Sequence, residues 1–176
     1  MKKITMILTL LFSGYSYSSL LIEPFAGMSV GSTGELGGTE ADLSGSVVGA
    51  RLGYQNMGFM LGLDARNHSF NADSDTGDSD FTGTTIGGFI GYELPIMFRF
   101  YAGMILSGSF EGESDVEYTE ASGSFVGIGY KALPFISLNF EMYNGSTAKI
   151  KSGSTELDYD GDYNFYYLTV SIPLNI

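Results

Sequence analysis

Apolar residues alternate with small or polar ones through eight separate stretches of the chain, and a period of two marks a β-strand with two unlike faces. From Ile22 the even positions are Ile22, Pro24, Ala26, Met28 and Val30, and the odd ones between them are Glu23, Phe25, Gly27 and Ser29. The second stretch sets Val48, Ala50, Leu52 and Tyr54 against Val47, Gly49, Arg51 and Gly53. The third sets Phe59, Leu61, Leu63 and Ala65 against Met60, Gly62, Asp64, Arg66 and His68. The same division recurs at Thr85–Tyr92, Met97–Met104, Phe125–Tyr130, Ile136–Tyr143 and Phe165–Ile176. The charged residues within the stretches share the face that carries glycine.

Between the stretches the connections alternate in character. Gly53-Tyr54, Gly91-Tyr92 and Gly129-Tyr130 recur every 38 residues, and each is followed by a short break: Gln55 to Gly58, Leu94-Pro95 and Leu133-Pro134. The connections around Gly34, Asp75, Asp115 and Asp158 read instead as longer loops, acidic and rich in Ser and Gly. The repeat is therefore a β-hairpin with tight turns at one end and polar loops at the other.

Two architectures use such strands, and they differ in which face is inside. A soluble sandwich or lipocalin-like barrel buries its apolar face, whereas a membrane barrel turns that face to lipid and keeps a polar lumen. Here the mixed face holds Gly27, Gly49, Gly53, Gly62, Gly87, Gly91, Gly103, Gly127 and Gly129 together with all three Arg. Glycine serves poorly on a wet strand face but fits a crowded interior that must also take Arg and Tyr. The pattern thus predicts an all-β, eight-stranded antiparallel up-and-down transmembrane β-barrel, with Tyr54, Tyr92 and Tyr130 on the lipid face as an aromatic girdle beside the short turns.

Composition agrees and adds an address. Lys2 and Lys3 precede an apolar run from Ile4 to Phe12 and then small and aromatic residues from Ser13 to Ser18, which reads as a signal peptide over residues 1–18 and a barrel domain over 19–176. The apolar run is well short of the roughly 17 to 25 residues of a membrane-spanning helix. There is no Cys, so neither a disulfide scaffold nor a lipidated cysteine is available. Without the two leader lysines, six basic residues face twenty acidic ones, a formal charge of −14 that makes nucleic acid a poor partner.

The chain resembles the small eight-stranded outer-membrane barrels of Gram-negative bacteria, typified by the transmembrane domain of outer-membrane protein A and by outer-membrane protein X. The resemblance is carried by Ile22-Glu23-Pro24-Phe25-Ala26-Gly27, by the Gly-x-x-x-Gly-Tyr runs ending at Tyr54 and Tyr92, by the Leu-Pro turns and by the alternating last strand. It departs at the end, where family members close on an aromatic residue and this chain has Pro173 and Ile176. Membership would imply an integral outer-membrane location and a monomeric barrel. Its contacts would be with lipid and lipopolysaccharide, and with the barrel-assembly machinery and periplasmic chaperones during biogenesis.

The candidate chemistry is sparse. Glu23, Arg51, Asp64, Arg66, Arg99 and Glu141 fall on the inner face, three charges of each sign, and buried ions must pair. Ion-pair layers are expected, with Glu23 beside Arg51, plugging a lumen that eight strands make just wide enough for side chains. If the pairs open, the alternative is a small porin-like channel; if the buried face is the other one, it is a soluble secreted β-barrel holding an apolar ligand. Sixteen of the twenty acidic residues lie in the four polar loops, where Asp73–Asp80 and Asp158–Asp162 suggest weak divalent-cation binding without matching a calcium-loop pattern. His68, the single His, points inward near the upper rim with Ser69 on the opposite face, and no convergent nucleophile and carboxylate suggest an enzyme. A structural or surface-contact role without cofactor or catalytic residue is therefore the expectation.

Overall fold

The computed structural model describes residues 19–36, 39–74, 77–112, 116–133, 135–152 and 155–176, so the leader at 1–18 lies outside it. Eleven strands form eight staves. The first stave is β1 (Ser19–Ser29) continued by β2 (Ser32–Leu36). The next four are β3 (Thr39–Asn56), β4 (Phe59–Ser74), β5 (Gly77–Glu93) and β6 (Phe98–Gly112). The sixth joins β7 (Val116–Thr119) to β8 (Ser122–Leu133), the seventh is β9 (Ile136–Ser152), and the eighth is β10 (Thr155–Ser171) continued by β11 (Leu174–Asn175).

Each stave pairs antiparallel with the next, and the first also pairs with the last, so the sheet closes on itself and leaves no edge. At the closing seam Met28 lies opposite Leu168 and Ile22 opposite Leu174. Pro173 interrupts this ladder because it has no N–H, yet Leu20 and Ile176 exchange both backbone hydrogen bonds beyond it, at 2.9 and 3.0 Å.

Face assignment follows the alternation. Ile90 and Leu61 stand 69 and 57 % exposed on the outer wall, while Glu23, Arg51, Arg66 and Glu141 are buried inside. A wall of exposed Leu, Ile, Val, Met and Phe around a charged interior inverts a soluble protein and suits hydrocarbon surroundings. This is an all-β antiparallel up-and-down barrel. On the outer wall Tyr54, Tyr92 and Tyr130 all lie at the short-turn end, with Tyr92 edge-on to Phe59 at 4.7 Å and Tyr130 tilted against Phe98 at 5.1 Å.

Three sequence expectations are corrected, on the polar segments, the first short turn and His68, and a bulge adds a feature beyond them. The polar segments around Gly34, Asp75, Asp115 and Asp158 are largely strand: β3, β4 and β5 run for 18, 16 and 17 residues, more than the roughly 9 to 11 that cross a bilayer. Ser, Thr and Asp continue the ladder there because both strands of each hairpin rise together. Asp158 lies within β10, next to a register shift between Asp158 and Gly161. The first short turn is tighter than Gln55–Gly58, since Asn56 pairs with Phe59 and only Met57 and Gly58 are left to turn. On β6 a bulge beside Ile86 and Gly87 adds one residue at Leu106, so the inward parity switches from odd at Tyr101 to even at Phe110. His68 is not at the rim, because further inward residues on the long hairpins roof it over.

Met57 and Gly58 both have positive φ, 50° and 84°, as a two-residue type I′ turn requires. Methionine bears that conformation at a cost of roughly 1–2 kcal/mol, which asparagine largely avoids. Met57→Asn is expected to raise unfolding stability by about 1 kcal/mol, read as a higher urea midpoint in refolding titrations.

Candidate functional site: the charged and aromatic lumen

The inner faces of the eight staves meet in three tiers. At the short-turn end Lys131 contacts Glu93 at 2.7 Å, and Gln55 donates to the other oxygen of Glu93 at 3.4 Å. This pair was not singled out from the sequence, since Glu93 and Lys131 sit beside the turns where a charge ordinarily meets water.

The middle tier brings together the six charges that the alternation assigned to the inner face. Arg51 and Glu23 are directly opposite on neighbouring staves, 3.0 Å apart. Arg51 also donates to Asp64 on its other neighbour at 2.9 Å and, across the lumen, to Glu141 at 2.6 Å. Arg66 forks onto Asp64 and reaches across to the second oxygen of Glu141. Arg99 donates to both oxygens of Glu23 from the facing wall, and its Nε donates to Asn139 at 3.1 Å. Three guanidinium and three carboxylate groups thus form one connected, formally neutral network.

Neutral groups satisfy the remainder. Tyr101 donates to Glu141 at 2.6 Å and Thr169 to the same oxygen at 3.3 Å. Asn139 donates to Thr169 and Ser171, each at 3.1 Å. The guanidinium faces lie over rings, Arg51 at 4.6 Å from Phe25 and 4.4 Å from Tyr101, Arg66 at 4.7 Å from Phe125. Such stacking supplies part of the stabilisation that water would otherwise give a buried cation.

Glycine makes room for these side chains by pairing across the ladder. Phe25 lies opposite Gly49, Tyr101 opposite Gly127 and Phe125 opposite Gly103. A Cβ at Gly127 would stand 2.3 Å from Tyr101 Cζ, and one at Gly103 the same distance from Phe125 Cζ. The glycine-rich face is therefore a set of sockets into which each opposing ring lies flat.

The upper tier is aromatic and uncharged. His68 is fully buried, with Nδ1 2.8 Å from the Tyr167 hydroxyl and Nε2 3.0 Å from Thr85 Oγ1, to which Tyr143 also donates at 2.7 Å. Tyr143, Phe110 and Phe165 pack around its ring. Ser69 is on the outer face, as expected from its parity.

Among the described acidic side chains of the hairpins, Asp42, Asp73, Asp78, Asp80, Glu111, Asp158 and Asp162 face outward. Asp42 lies opposite Asp73, which lies opposite Asp78, three carboxylates side by side on β3, β4 and β5. Asp75, Thr76 and the side chains of Ser74, Tyr159 and Asp160 lie outside the described residues, so the two calcium-like runs are described only in part. Among the described residues no three His, Asp or Glu side chains converge as metal ligands.

No protein-family model matches this sequence, and no curated protein does either. Solved structures do share its shape. Neisserial surface protein A aligns with 89 % of this chain and 99 % of its own, at a TM-score of 0.59 and 14 % identity. The outer membrane protein OprG from Pseudomonas aeruginosa covers 94 % of this chain and 100 % of its own, at a TM-score of 0.43 and 11 % identity. OmpT of Vibrio cholerae covers 90 % of this chain and 53 % of its own, at a TM-score of 0.36 and 15 % identity. Closure of eight staves, an apolar outer wall over a charged interior and the likeness to the neisserial protein lead to one structural identity: the chain has the fold of a small outer-membrane β-barrel.

Proposed function

We propose that the protein is an integral outer-membrane barrel with a plugged lumen, which displays four acidic hairpins at the cell surface and serves envelope structure or surface contact. The observation that carries this reading is the six-charge network. It joins opposite walls through Arg99 to Glu23 and through Arg51 and Arg66 to Glu141, at the depth of the apolar belt. Passage of a solute requires these contacts to part, and separating buried ion pairs costs several kcal/mol. The short-turn end with its tyrosines faces the periplasm in this reading, and the long hairpins face outward. Lipid and lipopolysaccharide are the partners of the belt, and the outward carboxylates favour cationic contacts. No catalytic role is proposed for His68, whose two ring nitrogens are engaged by Tyr167 and Thr85.

Fractionation and conductance test the two halves of the proposal. The protein is expected in the membrane fraction, extracted only by detergent, and the purified barrel in planar bilayers is expected to give no steady current. Recovery in the aqueous fraction would favour a soluble barrel. A large, stable single-channel current would establish the porin-like alternative instead.

A further inference from the structure

At the short-turn end two of the turns are apolar throughout. The turn between β5 and β6 is Leu94-Pro95-Ile96-Met97 and that between β8 and β9 runs Ala132-Leu133-Pro134-Phe135, so neither contains a charged or hydrogen-bonding side chain. Ile96, Met97, Leu133 and Phe135 are each half or more exposed. Backbone hydrogen bonds hold them there: Leu94 donates to Phe98 at 2.7 Å, Met97 donates to Leu94 at 3.2 Å, and the Met97 carbonyl accepts from the Lys131 N–H at 2.7 Å, which ties the two turns into one lip. The charged side chains flanking this lip turn inward, with Glu93 and Arg99 buried and Lys131 paired to Glu93 at 2.7 Å.

The wall that the lip continues is short. Its outward apolar run goes from Ile86 to Tyr92 on β5, Val126 to Tyr130 on β8 and Ile136 to Met142 on β9, ended away from the turns by Thr84, Ser124 and Asn144, while on β6 the bulge carries it on to Leu106. With a rise of roughly 3.3 Å per residue and a tilt of roughly 40°, the runs on β5, β8 and β9 stand roughly 10–15 Å tall, well short of the roughly 25 Å apolar band of a membrane barrel. The turn residues add about 8 Å and make up most of the difference. We propose that the lip is immersed in the periplasmic leaflet, so that phospholipid meets the barrel as far as Ile96, Met97, Leu133 and Phe135, with Tyr92 and Tyr130 inside the boundary of the belt. Phospholipid is the occupant because the lip continues the lipid-facing wall without a break, through Phe98 packed on Tyr130 at 5.1 Å, and lacks the polar rim that orients a protein partner. This immersion rests on the barrel's lying in the outer membrane with its short turns toward the periplasm.

The chain has no Cys, so single cysteines can be labelled with a small fluorophore in the whole barrel, held in phosphatidylcholine nanodiscs. Ile96→Cys and Phe135→Cys report on the lip, Ile90→Cys on the wall and Asp42→Cys on the water-facing hairpins. A phospholipid carrying a nitroxide high on its acyl chain is expected to quench the lip labels as it quenches the wall label, and aqueous iodide to quench them at least about threefold less than the Asp42→Cys label. Iodide quenching of the lip equal to that at Asp42→Cys, with the wall label still quenched by lipid, overturns the proposal and leaves the membrane barrel intact. Escape of the wall label from the lipid quencher defeats the barrel reading itself, and with it the immersion. Shielding of the lip from both quenchers shows a protein contact between copies and also overturns it. As a second measurement, Ile96→Asp combined with Phe135→Asp is expected to lower the folded fraction about threefold or more in dimyristoyl phosphatidylcholine vesicles but to leave it within about twofold in the thinner didecanoyl ones. Equal losses in both would count against immersion.

Discussion

Glu141→Ala is expected to lower the unfolding free energy by about 3–5 kcal/mol, the usual cost of removing one partner from a buried ionic group. Glu141 is the hub of the lumen: it accepts from Arg51 and Arg66 on the far side and from Tyr101 and Thr169. Its loss leaves Arg66 with Asp64 alone and gives the lumen an excess positive charge where water has poor access. Urea titration of the barrel refolded into lipid vesicles reads the loss as a lower midpoint. Pairing the change with Arg66→Met, which restores neutrality with an apolar chain of similar length, should recover part of it, so that the double variant is more stable than Glu141→Ala. If the single variant matched the unaltered protein within error, the network would contribute packing alone and the plug argument would lose its energetic basis. Planar-bilayer recording on the same variant gives a second readout, since removing the hub should produce currents that the intact plug does not.

Gly127→Val is the second large effect. The glycine lies opposite Tyr101, and even a first side-chain carbon would stand 2.3 Å from the ring. Tyr101 cannot swing clear without surrendering its hydrogen bond to Glu141 and its stacking under Arg51. Overpacking of this kind costs typically 1–3 kcal/mol, and here the broken hydrogen bond to a carboxylate adds about 1.5–3 kcal/mol. Refolding yield and urea midpoint should both fall. Tyr101→Ala combined with Gly127→Val should be less destabilised than the sum of the two single changes, because the clash and the ring vanish together. Strict additivity would mean that the socket and the ring are independent.

Both predictions rest on features whose ingredients lie in the sequence but whose meeting does not. The charges at Glu23, Arg51, Asp64, Arg66, Arg99 and Glu141 were recognisable as one inner set because parity is local. Glu23 opposite Arg51 was also within reach, since it needs only the register of two consecutive staves. Arg99 with Glu23 and Arg66 with Glu141 were not, because each joins walls separated by several staves across the lumen. Glu93 with Lys131 went unnoticed for a different reason: near a turn, alternation no longer separates lumen from water. The pairing of large side chains with glycine was half legible, as crowding was predicted from the glycine count while the particular partners depended on register.

What the sequence by itself determined is which way each residue faces. A strand alternates strictly by two, so Tyr54, Leu52 and Ile90 were bound to one side and Arg51, Gly53 and Arg66 to the other, and the glycine with the charges told which side was inner. Eight staves, antiparallel order and the position of Tyr54, Tyr92 and Tyr130 at the short-turn end followed from the same alternation and from the short turns. Only the tertiary structure decided how far the strands continue past the lipid belt, where the bulge at Leu106 resets parity, how deeply His68 sits, and which charges touch across the barrel. These depend on strand tilt and on the stagger with which the sheet closes, quantities set by all eight staves at once and by no single stretch of sequence.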